Sequence, residues 1–278
     1  MVGDWWESIP TELEEDLIPQ RTVLLDDKGK QFAQVFTENR VSIAYDDMGD
    51  HVVQALIATE DARFFEHGGM DTKGIIRAII NNVVNDNVQG ASTITQQLVE
   101  NLRIQSAMGD EDKIREARAS SVRGKIEEVR FAQGIEAAHS KEEILESYLN
   151  IVYFGNRAYG VEAASQYYFN TNAKNLTIDQ AATLVAMLKS PVLYDPVTKP
   201  EESRLRRDVV MKSMVKEGFL EDSVYRKLIE KPTKLKITKP KNGCGDSNYP
   251  FYCQLVADQF LQNTQLGSSR ADRQKLWK

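Results

Sequence analysis

The stretch VVQALIATEDARFFEHGGMD, residues 52–71, decides how this chain is read. Val53, Leu56, Ile57 and Phe64 form one stripe of a helix over about 52–64, and Glu60 stands seven, four and three residues after the first three and four before the last. Side chains three and four apart share a helix face, so the pattern sets a carboxylate on the apolar side. Such a carboxylate is costly unless paired, and a positioned carboxyl group is what proton transfer uses. Taken alone, Glu60 also reads as a face-edge residue whose stem packs while its head reaches water.

Further along stand GASTITQQLVEN (90–101), a Glu-bearing helical run ending near Ala138, and KEEILESYLNIVYFGNRAYGVEAAS (141–165). In this order, behind the EDxxFxxHxG arrangement of Glu60, Asp61, Phe64, His67 and Gly69, they resemble the peptidoglycan glycosyltransferases. These form glycosyltransferase family 51, the domain found in class A penicillin-binding proteins, here of an actinobacterial kind. The resemblance covers roughly residues 45–220, and four motifs coinciding in order make it specific. It implies a mainly α, lysozyme-like helical domain. It also implies that Glu60 is the general base, taking the proton from the 4-hydroxyl of the acceptor sugar.

The second carboxylate is chosen between neighbours. Counting back without a gap from KEEILESYLN, the family's third motif, Arg-Lys-x-x-Glu, falls on Gly124, Lys125, Ile126, Glu127 and Glu128, which makes Glu128 the acid. Helical spacing agrees, because Glu128 shares a face with Phe131, Ala132 and Ile135, whereas Glu127 shares one with Arg130 and Gly134 and reads as a solvated charge. Two carboxyl groups across a sugar bond suit an inverting transfer in which a hydroxyl takes the place of water. With a lipid pyrophosphate as leaving group, Lys125 and Arg63 are the candidates for steadying its charge.

Gly90 permits an unusual backbone angle before a helix entry, and Ser92, Thr93, Gln96 and Gln97 offer hydroxyl and amide groups suited to sugar and phosphate oxygens. Ser92 and Thr93 fit helix capping equally well, with Thr93 and Gln96 spaced as a capping box. The two adjacent glutamines have no capping purpose that deep. His67 reads as a hydrogen-bonded structural residue, Asp61 as its support, and Asn150, Gly155, Gly160 and Val161 as buttresses of the cleft. Two departures remove positive charge: Glu100 and Gly124 stand where the family has a cation, with Arg103 and Arg123 nearby as substitutes.

Composition excludes other classes. The formal charge is −6, from 35 basic and 41 acidic residues, and six of the acids lie in residues 1–20 without a Lys or Arg, leaving a balanced body. No one-signed field of a nucleic-acid binder results. Three histidines and two cysteines show no zinc spacing. No run of eighteen apolar residues reads as a membrane span. Family members carry an N-terminal anchor, so the resemblance implies an extracytoplasmic part of a longer membrane protein.

Apolar spacing predicts helices over VVQALIATEDARFF, TKGIIRAIINNVV, TITQQLVENL, about 113–138, KEEILESYLN, YGVEAASQYYF, TIDQAATLVAMLK and ESRLRRDVVMKSMVKEG. Ser140, Thr177 and Pro200 mark helix entries. Only TVLLDDKGKQFAQV (22–35) reads as a β-hairpin, turning near Asp27, Lys28 and Gly29. The expected organisation is a juxtamembrane segment and hairpin over 1–40, the glycosyltransferase domain over 41–230, and, over 231–278, a lysine-rich linker and the start of a transpeptidase region. Cys244 and Cys253, with eight residues between them, are expected to form a disulfide. The stripe Ile75, Ile76, Ile79, Ile80, Val83, Val84 reads as core, or, by the resemblance, as a surface dipping into a bilayer. Ser213-x-x-Lys216 fits a transpeptidase nucleophile pattern but lacks partner motifs and reads as chance.

The implied partners are lipid II, the growing glycan strand, the membrane surface, moenomycin-type inhibitors and cell-wall synthesis proteins. No cofactor is required by these residues, and a divalent cation, Mg or Mn, is left open. Three functions are compatible with the chain: polymerisation of lipid II into β-1,4-linked glycan, a lysozyme-like hydrolysis, or lipid II binding without turnover. The second glutamate and STITQQ argue against the hydrolase.

Overall fold

Helical spacing in ESRLRRDVVMKSMVK is realised as a buried row of Ser203, Arg207, Val210, Met211 and Met214. The computed structural model that shows this describes residues 18–71, 92–107, 112, 114–115 and 122–277. The described strands are β1 (Thr22–Leu25), β2 (Gln31–Val35), β3 (Asn39–Arg40) and β4 (Ala158–Tyr159). The helices are α1 (Asp50–Glu60), α2 (Ile94–Ser106), α3 (Val122–Ala138), α4 (Lys141–Ile151) and α5 (Val161–Phe169), then α6 (Ile178–Leu188), α7 (Pro200–Lys216), α8 (Asp222–Ile229), α9 (Pro250–Gln262) and α10 (Arg270–Trp277). The fold is mainly α with a small N-terminal hairpin, as the periodicity predicts.

Helix α6 lies in the middle of the core: Ala181, Ala182, Leu184, Val185, Ala186 and Met187 are fully buried, and the helix packs against α1 and α7. Three small alanines let neighbouring helices approach closely. Helices α3 and α4 both pack against α2. The predicted entry signals act as expected at α4, where Ser140 accepts from the Glu143 N–H and the Glu143 carboxylate accepts from the Ser140 N–H. Thr177 precedes α6, and Pro200 is the first residue of α7.

Two predicted helices differ. The first stops at Glu60 instead of running to Phe64, and residues 64–66 form a separate 3-10 turn. The run predicted over about 113–138 is helical at 112, 114 and 115 and again over 122–138, and the residues between are not described. The helix predicted over TKGIIRAIINNVV, with its apolar stripe, and Gly90 lie outside the described residues.

Strands β1 and β2 pair antiparallel with Thr22 opposite Val35, and the Asp26 carboxylate accepts from the N–H groups of Lys28 and Lys30 to close the turn. Segment 241–247 then lies along β2: Gly243 N–H donates to Gln34 O at 2.8 Å, the Gln34 amide donates to Lys241 O, and Asn242 exchanges two bonds with the Phe36 backbone. Cys244 and Cys253 are joined in a disulfide, which ties the start of α9 to that segment. The preceding linker is bonded to α5 through Lys236 N–H to Tyr168 O and Thr238 N–H to Tyr167 O.

Candidate active site

Glu60 is the last residue of α1, so its side chain leaves the helix where the backbone turns away. Asp61 follows at φ −157°, ψ 72°, its N–H still bonded to Ile57 O at 3.0 Å. Its buried carboxylate accepts from the Ile94 N–H at 3.1 Å, at the positive end of α2, and from His67 Nε2 at 2.9 Å. The carboxylate can only accept, so His67 carries its proton on Nε2. His67 Nδ1 is buried and has no partner among the described residues. Both residues hold the turn together.

Gly69 secures the other end of this segment. Its φ is +75°, and a Cβ there would stand 2.8 Å from the Ala132 carbonyl carbon and the Gln133 nitrogen of α3, so only glycine fits. The Gly69 carbonyl accepts from Thr93 Oγ1 at 3.2 Å and from Gln96 Nε2 at 3.0 Å. The expected capping box is therefore half formed: Thr93 accepts from the Gln96 N–H, but the Gln96 amide turns to Gly69. Gln96 is buried in that contact, which joins the 61–71 segment to α2. Lys141 of α4 adds a third tie, donating to His67 O at 2.7 Å, pairing with Glu136 and lying 4.2 Å over the fully buried Phe64 ring. Thr95 Oγ1 donates to the same Glu136.

Glu60 itself is partly buried, and its Oε2 accepts from Gln97 Nε2 at 3.0 Å. Gln97 Oε1 accepts in turn from the Tyr148 hydroxyl at 2.7 Å. Tyr148 is fully buried, and burial first, then the charges of Glu60 and Glu100, push its phenol well above its ordinary range, so it stays a donor. Ser92 lies just before α2, half-buried.

Glu128 on α3 is buried to 5% exposure and paired with Lys125, whose side chain is 46% exposed. Glu127 is not the solvated charge expected: it is about a quarter exposed and pairs with Arg123 at 3.0 Å and Arg103 at 3.8 Å. These are the two cations read as substitutes at positions 100 and 124, and both converge on Glu127. Arg63 pairs with Asp71. Asn150 is buried and copies a strand contact with Ile43, donating to its carbonyl at 2.9 Å and accepting from its N–H at 3.1 Å. Lys216 pairs with Glu217, and Ser213 Oγ bonds the Val209 carbonyl, which leaves the SxxK pattern without chemistry.

Thr95, Glu136, Lys141 and Tyr148 belong to the site's framework and were not singled out by spacing. Lys141 and Tyr148 lie inside KEEILESYLN and Thr95 inside TITQQ, so the motifs themselves carried that signal.

A family model described as Transglycosylase matches residues 28–215. The chain is 38% identical over 228 residues to Penicillin-binding protein 1A of Aquifex aeolicus (strain VF5), covering 82% of this chain and 30% of that protein. It is 39% identical over 211 residues to Penicillin-binding protein 1A/1B of Bacillus subtilis (strain 168), covering 75% and 22%. The chain thus spans less than a third of the length of these relatives. A crystal structure of Penicillin-Binding Protein 1A from Haemophilus influenzae aligns with 88% of this chain and 24% of that one, at 18% identity and a TM-score of 0.44, too loose a likeness to argue from.

Proposed function

The chain belongs to the transglycosylase family, the peptidoglycan glycosyltransferases, and from that premise we propose that it polymerises lipid II into β-1,4-linked glycan strands. Glu60 takes the proton of the acceptor 4-hydroxyl as the oxygen bonds to C1 of the donor sugar, and the C1–oxygen bond to the lipid pyrophosphate breaks with its electron pair on the leaving group. General-base assistance of this kind contributes roughly 10²–10⁴-fold. Glu128 and Lys125 stand as the second acid and a half-exposed cation for the departing pyrophosphate, with undecaprenyl pyrophosphate released. The observation that carries the reading is the Glu60 carboxylate, held at the end of α1 by Gln97 beside a turn tied to α2, α3 and α4.

The substrate's lipid tail sets the reaction at the cell membrane, on the extracytoplasmic side in this reading. The Cys244–Cys253 disulfide supports an oxidising compartment. Among the described residues no helix is long and apolar enough to cross a membrane. The growing glycan strand, moenomycin-type inhibitors and cell-wall synthesis proteins are the partners this reading calls for.

A second reading, lipid II binding without turnover, has one observation in its favour. Arg103 and Arg123 are both drawn to Glu127, which offsets part of the positive charge they bring near Glu100 and Gly124. Incubating the chain with fluorescent lipid II and resolving products on a gel separates the cases. A ladder is expected. Unchanged lipid II would favour the binding module, and shortening of pre-formed glycan the hydrolase.

A further inference from the structure

We propose that Tyr148 is a positioning residue for the glycosyl transfer, its hydroxyl fixing the Gln97 amide so that an N–H, and not the carbonyl, faces Glu60. The inference deepens the reading above and rests on it. A glutamine amide turned by 180° exchanges donor and acceptor, so its orientation must be set by its neighbours. Here both ends agree. The Tyr148 hydroxyl donates to Gln97 Oε1 at 2.7 Å, and Gln97 Nε2 donates to Glu60 Oε2 at 3.0 Å.

During the reaction Glu60 changes from acceptor to potential donor as it takes the proton. An amide free to turn would follow that change and let the carboxyl group rotate. Tyr148 opposes this turn, because it would set the amide NH2 against the phenol and leave an O–H buried in the core without its acceptor. With Gln97 on Oε2, the proposal leaves the other oxygen, Oε1, for the acceptor hydroxyl. Burial keeps the phenol protonated at any working pH, so the donor at the head of the chain is permanent.

The experiment measures polymerisation of fluorescent lipid II in detergent by wild type, Tyr148→Phe, Gln97→Glu and the double variant. Gln97→Glu keeps an acceptor for Tyr148 but removes the N–H that holds Glu60. Each single variant is expected to lose roughly tenfold to a hundredfold in kcat with KM nearly unchanged, as small misplacements of a catalytic group do. The double variant is expected to lose no more than Gln97→Glu alone, because both changes break one chain. Wild-type kcat in Tyr148→Phe, or the same fold loss from Tyr148→Phe in both backgrounds, would overturn the proposal, the second outcome assigning Tyr148 to packing alone. Should Tyr148→Phe fail to fold, as seen in its melting transition, Gln97→Glu decides: lost turnover supports the chain and wild-type turnover overturns it. If the unmodified chain makes no more polymer than Glu60→Gln, the functional reading itself fails, and that outcome is read separately from the others.

Discussion

Glu127 and Glu128 are adjacent in sequence and chemically identical, yet α3 gives them different tasks. Glu128 is buried with Lys125, while Glu127 sits on a neighbouring face between Arg103 and Arg123. Glu128→Gln is therefore expected to lower turnover by at least roughly a hundredfold, the range of a lost acid–base group, and Glu127→Gln by less than a few-fold, since partly exposed ion pairs contribute little. Steady-state rates with lipid II check the ranking, and the reverse order would move the motif by one residue onto Arg123 and Glu127. The apolar face read from Phe131, Ala132 and Ile135 singled out the residue of the pair that is buried. It missed Arg103, which lies on α2 and approaches Glu127 only in the tertiary structure, whereas the Arg123 pair is an i,i+4 contact that spacing could have given. Tyr148 was illegible for the same reason as Arg103: its partner Gln97 is 51 residues away, and a Tyr in an apolar helix looks like core.

At the scale of elements, the 61–71 segment is where α1, α2, α3 and α4 meet. The helix stop at Glu60 has no Gly or Pro to announce it, and periodicity carried α1 on to Phe64. What ends the helix is the recruitment of Asp61 to the start of α2 and to His67, a competition spacing cannot register. Local chemistry was readable where it was complete in itself, as at the helix entry of Ser140 and in the hairpin turn near Asp27, Lys28 and Gly29. Gly69→Ala should destabilise the fold by more than about 1 kcal/mol, through positive φ and contact with the Ala132 backbone. Gly68→Ala, with nothing within 4 Å of its added Cβ, should leave the melting midpoint nearly unchanged. Equal midpoints for the two variants would show that α3 yields at that contact. Opening the Cys244–Cys253 bridge by paired Ser substitution is expected to cost about 2–3 kcal/mol for so short a loop. That loss should be confined to the contact of 241–247 with β2 and leave lipid II turnover intact, as hydrogen exchange and the polymerisation assay would show.

For the whole molecule, the tyrosines set an alkaline limit. Burial raises the phenols of Tyr148, Tyr159 and Tyr168 above their ordinary value, Tyr159 to about 12. The unfolded chain releases these protons from about pH 10 while the folded one keeps them, so stability is full below that pH and falls as pH rises toward 12. Denaturant midpoints measured from pH 8 to 12 should stay level and then decline, with a shallower decline in Tyr159→Phe. A flat profile would contradict the burial of these rings. The fold exists, on this account, to hold one carboxylate at a helix end against a fixed amide. The most direct test compares Glu60→Gln with the unmodified chain for lipid II binding and for polymer formation. The account predicts that binding is retained while the glycan ladder disappears, and a Glu60→Gln protein that still polymerises near the wild-type rate would contradict it.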